Sequence, residues 1–326
     1  MNTNITMKKT LRKKLLSGGS ATQKLLAFSS LIVMFLAFSI ISPNFATFDN
    51  IVGILLATSV TGVLAIGATF VIITSGIDLS IGTVMTFSAV FAGLFITNMG
   101  LPVFVGVLGG IAAGGLCGFL NGTAIAKAKI PPFIATLGMM MITKGFSLVL
   151  AKAKPIYFND TPSFAKISMG SFLGIPNAVL IFFAVAIIAS LILSKTVLGR
   201  YNVALGSNEE AARLSGINVD KWKIAIYTLC GIFAGIAGIM MAARLNSAQP
   251  ALGAGYEMDA IAAAVIGGTS LSGGEGTIIG TVIGAFIISV LTNGLRIMSV
   301  PQEWQTIITG CIVILAVYMD IKRRKK

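Results

Sequence analysis

The residues Ser207-Asn-Glu-Glu-Ala-Ala-Arg-Leu-Ser-Gly216 carry side chains suited to capping, pairing and docking rather than to bond chemistry. Ser207 and Glu210 have the Ser-x-x-Glu spacing of a capping box, in which each side chain satisfies a free backbone N–H. Glu209 and Glu210 favour the positive end of a helix. Gly216 stands where a left-handed residue ends one, with Ile217 placed to close over Leu214. Glu209 and Arg213 are spaced to pair along the helix, and Ala211 and Ala212 keep one face small. A helix of about eight residues is marginal alone in water and needs outside contacts. One reading is a plain surface connector; the other is a docking element, with Ser207, Asn208, Glu209, Glu210, Ala211, Ala212, Arg213 and Gly216 as its contact set.

Nothing else in the chain offers a reactive constellation. There is no histidine, and Cys117, Cys230 and Cys311 stand in separate apolar runs without metal-ligand spacing. They are expected to be small packing residues. No Gly-x-x-x-x-Gly-Lys-Ser/Thr and no Gly-x-Ser-x-Gly occurs. The expectation is no catalytic residue, no metal site and no cofactor bound by this chain.

The elements that must position the polar segment are membrane spans. The chain is 56% hydrophobic and only 11% charged, with a mean hydropathy of +0.93. A soluble domain carries about 25% charged residues, so the bilayer must be the solvent. Uncharged runs such as Leu25 to Phe48, Ile51 to Ile77 and Leu79 to Ala126 exceed the roughly 18 residues that a crossing needs. The last holds two crossings, turning at Asn98-Met-Gly-Leu-Pro102. The expected spans are 25–42, 51–75, 79–97, 103–126, 131–151, 174–194, 224–243, 259–271, 277–297 and 304–320. The eighth is short for a spanning helix. The fold class is therefore an all-α integral membrane protein of about ten segments, with residues 25–320 as the transmembrane domain.

Charge sets the orientation. The net charge of +13 is concentrated in two tails, residues 1–24 (Lys8, Lys9, Arg12, Lys13, Lys14, Lys24) and 321–326 (Lys322, Arg323, Arg324, Lys325, Lys326). Basic tails flanking apolar spans follow the positive-inside rule, which places both termini in the cytoplasm and requires an even number of crossings. The loop 195–223 then falls inside with Lys195, Arg200, Arg213, Lys221 and Lys223, as do Lys127 and Lys129. Lys152, Lys154, Lys166, Arg244 and Arg296 fall outside. With no soluble basic domain and no interleaved aromatics, nucleic acid is excluded as a partner. The apolar run after the basic start is too long for a cleaved leader and lacks a small-x-small site, so it is expected to stay as the first span.

A weak internal repeat relates Thr74-Ser-Gly-Ile-Asp-Leu-Ser-Ile-Gly-Thr83 to Gly267-Gly-Thr-Ser-Leu-Ser-Gly-Gly-Glu-Gly-Thr277. Repeats of this kind border transport pathways, although Gly/Ser-rich capping turns look the same. Ser272 and Glu275 repeat the capping-box spacing and are expected to start the ninth span. Asp78 is either an intramembrane functional acid or, with Ser80, the cap of the third span. Asp78, Asn121 and Asn293 are the candidate pathway residues. Such amides, Asn246 and Gln249 among them, more often join helices. Glu257, Asp259 and Arg296 lie near outer span ends. Lys144 is expected to snorkel outward or pair with an acid, with no part in translocation.

Glu210-Ala-Ala-Arg-Leu-Ser-Gly216 resembles the Glu-Ala-Ala-x-x-x-Gly core through which bacterial ABC-importer permeases contact their ATPases. Leu198-Gly-Arg-Tyr, Ser215-Gly-Ile-Asn-Val219, Ser247-Ala-Gln-Pro250, Gly255-Tyr-Glu-Met-Asp-Ala-Ile-Ala262 and Gly267-Gly-Thr-Ser-Leu-Ser-Gly-Gly274 narrow the resemblance to ribose-type monosaccharide permeases. Ser42-Pro-Asn-Phe45 and Thr74-Ser-Gly-Ile-Asp-Leu-Ser80 extend it towards the N-terminus. The Ile-x-Leu-Pro that continues the motif in many importers is absent after Gly216.

The resemblance implies import of ribose or a relative such as allose, xylose, arabinose or galactose across the inner membrane. It also implies a cytoplasmic ABC ATPase that uses ATP and Mg, a periplasmic sugar-binding protein and a second permease copy, normally as a homodimer. The rival readings are an ion-gradient-driven secondary sugar transporter, which would place charged groups at the membrane midplane, and a non-transporting scaffold.

Overall fold

The computed structural model describes residues 20–324, so the tail positions Lys8, Lys9, Arg12, Lys13, Lys14, Lys325 and Lys326 lie outside the described residues. Helices dominate: α1 Ser20–Ile41, α2 Phe48–Ile73, α3 Ile81–Gly93 (ending in a π-helical turn, Leu94–Asn98), α4 Val103–Ala126, α5 Pro132–Leu150, α6 Pro162–Met169, α7 Asn177–Lys195, α8 Val197–Ser207, α9 Glu209–Leu214, α10 Val219–Leu245, α11 Tyr256–Ile266, α12 Ile278–Ile297 and α13 Gln302–Arg324. Four two-residue strands complete the described residues. β1 (Ile156–Tyr157) pairs antiparallel with β4 (Ser247–Ala248), and β2 (Ser171–Phe172) with β3 (Ile175–Pro176). The protein is an all-α, multi-pass membrane protein in which, among the described residues, seven helices are long and apolar enough to cross a bilayer. α1 starts five residues before the expected boundary and α13 runs beyond residue 320.

α2 and α10 form the centre. α2 is buried along most of its length, and α10 packs against α2, α3 and, most extensively, α4. That last contact is built on glycine. Gly110, Gly114, Gly118 and Gly122 recur every fourth residue on α4 and face Ile239, Gly231, Gly235, Tyr227 and Ile224 of α10. A methyl group at Gly118 would overlap the Tyr227 carbonyl, and one at Gly231 the Gly114 carbonyl. Without a hydrophobic driving force between helices in lipid, such small-residue ridges allow the close van der Waals contact that holds them together.

Two elements are broken. α2 ends at Ile73, and the chain then climbs beside α10 without helical structure. Gly76 lies against Tyr227, and Cys230 beside Asp78; only at Ile81 does α3 begin, with Met85 touching Gly238. Tyr227 and Gly238 are about 16 Å apart along α10. The other break precedes α11. Ala248 sits beside Gly93 of α3, but Gly253 sits beside Gly82, a descent of about 16 Å along α3. The expected eighth span, 259–271, thus corresponds to the 11-residue helix α11, which is reached through the strand and turns of residues 246–255, and this explains why its apolar run is short.

Residues 151–176 fold over the end of the bundle remote from α9. Phe158 and Phe164 stack at 4.0 Å between centroids, and Ser168 Oγ donates to the Met240 carbonyl at 2.7 Å. Their mixed polar sequence has no apolar period, so α6 is not legible as a helix beforehand.

Candidate functional site

α9 is a six-residue helix, shorter than expected, because α8 runs through Ser207. The cap is Asn208 rather than Ser207: Asn208 Oδ1 accepts from the Ala211 N–H at 2.9 Å, while Ser207 Oγ donates back to the Val203 carbonyl at 2.8 Å. The expected Ser207/Glu210 capping box is therefore replaced by an asparagine cap one residue on, since a residue inside a helical turn cannot adopt the extended cap geometry. The other end follows expectation. Gly216 takes φ +82°, its N–H donates to Arg213 O and the Ile217 N–H to Ala212 O, at 3.0 and 3.1 Å. This is a Schellman closure.

The helix is clamped to the bundle from one side. Glu209 accepts from Lys223 Nζ at 2.6 Å and from Arg213 at 3.3 Å. Partial burial opposes ionisation of Glu209, but the hydrogen bond and charge of Lys223, with Arg213, outweigh it and hold the carboxyl below its ordinary range. A carboxylate with a depressed folded-state pKa supports the fold above its unfolded pKa and loses that support only as pH falls through the folded value. The clamp therefore persists through neutral pH. Asp220 accepts from Lys129 Nζ at 3.0 Å. Tyr201 of α8 packs edge-on against Trp222 of α10.

Ala212 is the inward residue of α9; Asn208, Glu210, Ala211, Arg213 and Gly216 face outward. Ala211 alone keeps the outer face small, since Ala212 belongs to the chain's own core. Leu214 is not covered by Ile217. It is 84% exposed, whereas Ile217 packs against the core. An apolar side chain offered to water in the middle of a polar surface is a contact that capping arguments passed over.

Behind α9, the two repeat segments meet. The Gly274 N–H donates to the Ile73 carbonyl at 2.9 Å, and Ser75 Oγ donates to Ser272 O at 2.9 Å. Gly206, one residue from the end of α8, lies so close that a side chain there would overlap Ile73 O. The α8–α9 corner, the end of α2 and the loop between α11 and α12 thus form one knot. Glu275 does not open α12; Thr277 does, accepting from the Gly280 N–H at 3.2 Å.

The candidate pathway residues separate into two places. Asp78 Oδ1 accepts from Ser80 N and Oγ at 2.8 and 2.6 Å, and Asn121 Nδ2 donates to Ser80 Oγ at 3.0 Å. Both are buried. Asp78 closes a turn on Ser80 and, contrary to expectation, neither side chain caps α3. Asn293 exchanges hydrogen bonds with Asn50 at 2.9 and 3.0 Å, tying α12 to α2. Intramembrane side-chain bonds are worth about 0.6 kcal/mol each on average. Asn293→Ala is therefore expected to cost about 1 kcal/mol of stability and to leave the substrate KM unchanged. Thermal unfolding in detergent alongside uptake kinetics checks both.

The chain matches, over residues 50–317, the family described as the branched-chain amino acid transport system / permease component. It is 44% identical to the ribose import permease protein RbsC of Escherichia coli K12, over 90% of this chain and 92% of that one. Identity to the Bacillus subtilis protein of the same name is 42%, over 92% and 94%. With the L-arabinose transport system permease protein AraH of Escherichia coli K12 it is 38%, over 90% and 89%. No solved structure matches the chain.

Proposed function

The chain belongs to the branched-chain amino acid transport system / permease component family, and from that premise we propose that it carries ribose or a close monosaccharide relative inward, driven by a separate ABC ATPase. It is a permease subunit of an ABC sugar importer, not a catalytic enzyme. A periplasmic binding protein delivers the sugar, two permease copies enclose the pathway, and both termini lie in the cytoplasm of an inner-membrane protein. ATP and Mg act in the ATPase.

One observation carries the coupling part of this reading. α9 presents Glu210, Ala211, Arg213 and Leu214 outward, while its inner side is fixed by Glu209–Lys223 and its root lies in the knot of Gly206, Ile73 and Gly274. A rigid lever with an apolar tip and a buried root suits a partner that moves. Displacement of α9 then has different contacts in the two states of the ATPase, as any coupled transition requires.

Reconstitution with the ATPase and binding protein, followed by ribose uptake with and without ATP, tests the reading. ATP-dependent uptake is expected; uptake that ignores ATP and follows a proton or sodium gradient overturns it. Gly216→Val is expected to uncouple hydrolysis from uptake. No atom crowds Gly216, so the effect comes from forcing a β-branched residue into the left-handed region, at about 1–2 kcal/mol. Unchanged uptake would count against α9 as the lever.

A further inference from the structure

Lys144 is the one lysine or arginine of the described residues that lies inside a candidate crossing away from its terminal turns, and it is exposed. Its depth is fixed by its neighbour. Thr143 Oγ1 donates to Thr83 Oγ1 at 2.8 Å, and Thr83 lies 15 residues before Asn98 on α3, about 22 Å from that helix's outer end. Lys144 therefore stands at the level where α3 begins and where the descending chain reaches Gly253. It lines a narrow cleft there with Thr83, Thr86, Pro250, Ala251 and Gly253. Among the described residues no carboxylate is within ion-pair distance of its ammonium.

An unpaired ammonium at this depth is costly against lipid, and the cleft beside it combines the Thr83 and Thr86 side chains with Pro250, Gly253 and the exposed, non-helical Ala251 and Ala254. Both breaks in the helical structure, before α3 and before α11, open at this level. Irregular backbone inside a membrane is tolerated where it is buried or lines an aqueous cavity. We infer that Lys144 faces the water-filled pathway and donates hydrogen bonds to the hydroxyl oxygens of the sugar as it passes Thr83 and Thr86. A three-donor ammonium suits a neutral polyol, which offers acceptors in every orientation. This reverses the expectation of a snorkelling lysine and rests on the sugar-importer reading above.

Two measurements test it in the full complex. Lys144→Met is expected to lower ribose uptake at least tenfold while ATPase activity stimulated by the binding protein persists; Lys144→Arg restores part of the uptake. Lys144→Cys, in a chain carrying Cys311→Ser, is expected to react with a charged, membrane-impermeant methanethiosulfonate. The rate should change at least tenfold on adding a non-hydrolysable ATP analogue. Wild-type uptake in Lys144→Met, or no labelling in either state, overturns the inference and leaves a lysine that faces lipid or a neighbouring chain. Loss of ATP-dependence in the wild-type complex instead sinks the importer reading, whatever Lys144 does.

Discussion

Gly114→Leu is expected to leave little folded permease to purify. The glycine lies under the α4–α10 contact, where an added Cβ would meet Ser88 Oγ at 2.9 Å and the Gly235 Cα at 3.0 Å. Both are buried, and the second is backbone that cannot rotate away. Overpacking a tight contact costs about 1–3 kcal/mol for a few methylenes. Here α4 and α10 would have to part along their whole shared ridge, which removes contacts at Gly110, Gly118 and Gly122 together. Against a total stability of about 5–15 kcal/mol, that loss should reduce the monodisperse fraction in detergent several-fold. Gly138→Leu is the matched control. It adds the same side chain to a helix of the same membrane region, at a glycine with no atom near its Cβ position, and should purify as wild type. Equal recovery of the two variants would show that the ridge does not hold these helices.

The glycine ridge also marks what the sequence left unread. Hydropathy alone located each apolar segment that became a helix, because length and lack of charge decide that question. It is blind to which face is inward, since lipid-facing and buried sides are equally apolar; the four-residue spacing of Gly110, Gly114, Gly118 and Gly122 held that information. The helix α9 is legible in the sequence as a unit, but its start is displaced by one residue. Ser207 and Asn208 both suit a cap, and only the continuation of α8 to Ser207 decides between them. Capping chemistry likewise pointed to Glu275 where Thr277 performs the task. The half-helical traverse at 246–266 gives a short hydropathy signal for a physical reason: residues 246–255 are polar and rich in Gly and Pro, and they bond their backbone to β1 and within their own turn, not within a helix. Asp78 and Asn121 stand out in the sequence as polar groups in apolar runs, but their engagement with Ser80 depends on a return of the chain that no local pattern encodes.

The repeat segments gain their meaning from the same return, and Gly206 is where that meaning is tested. Gly206→Val is expected to reduce ribose uptake more than tenfold and to free ATP hydrolysis from control by the binding protein, with the complex still assembled. The reason lies in the root of α9. A side chain at Gly206 overlaps the Ile73 carbonyl and crowds the Gly274 N–H, so the Gly274–Ile73 hydrogen bond must break and the two repeat loops must separate. The outward surface of α9, from Asn208 to Gly216, is untouched, and docking should survive. What is lost is the connection between the docked helix and the ends of α2 and α12. Ser75→Ala is the graded companion: it removes the bond to Ser272 O at 2.9 Å without adding volume, and a smaller fall in uptake should follow. The comparison separates a broken linkage from a misfolded chain, because Ser75→Ala introduces no clash. Full uptake in both variants, with normal elution of the complex, would mean that force passes from the ATPase to the membrane by another route. Uptake lost in Gly206→Val together with ATPase binding would make the corner a docking surface instead of a transmission point.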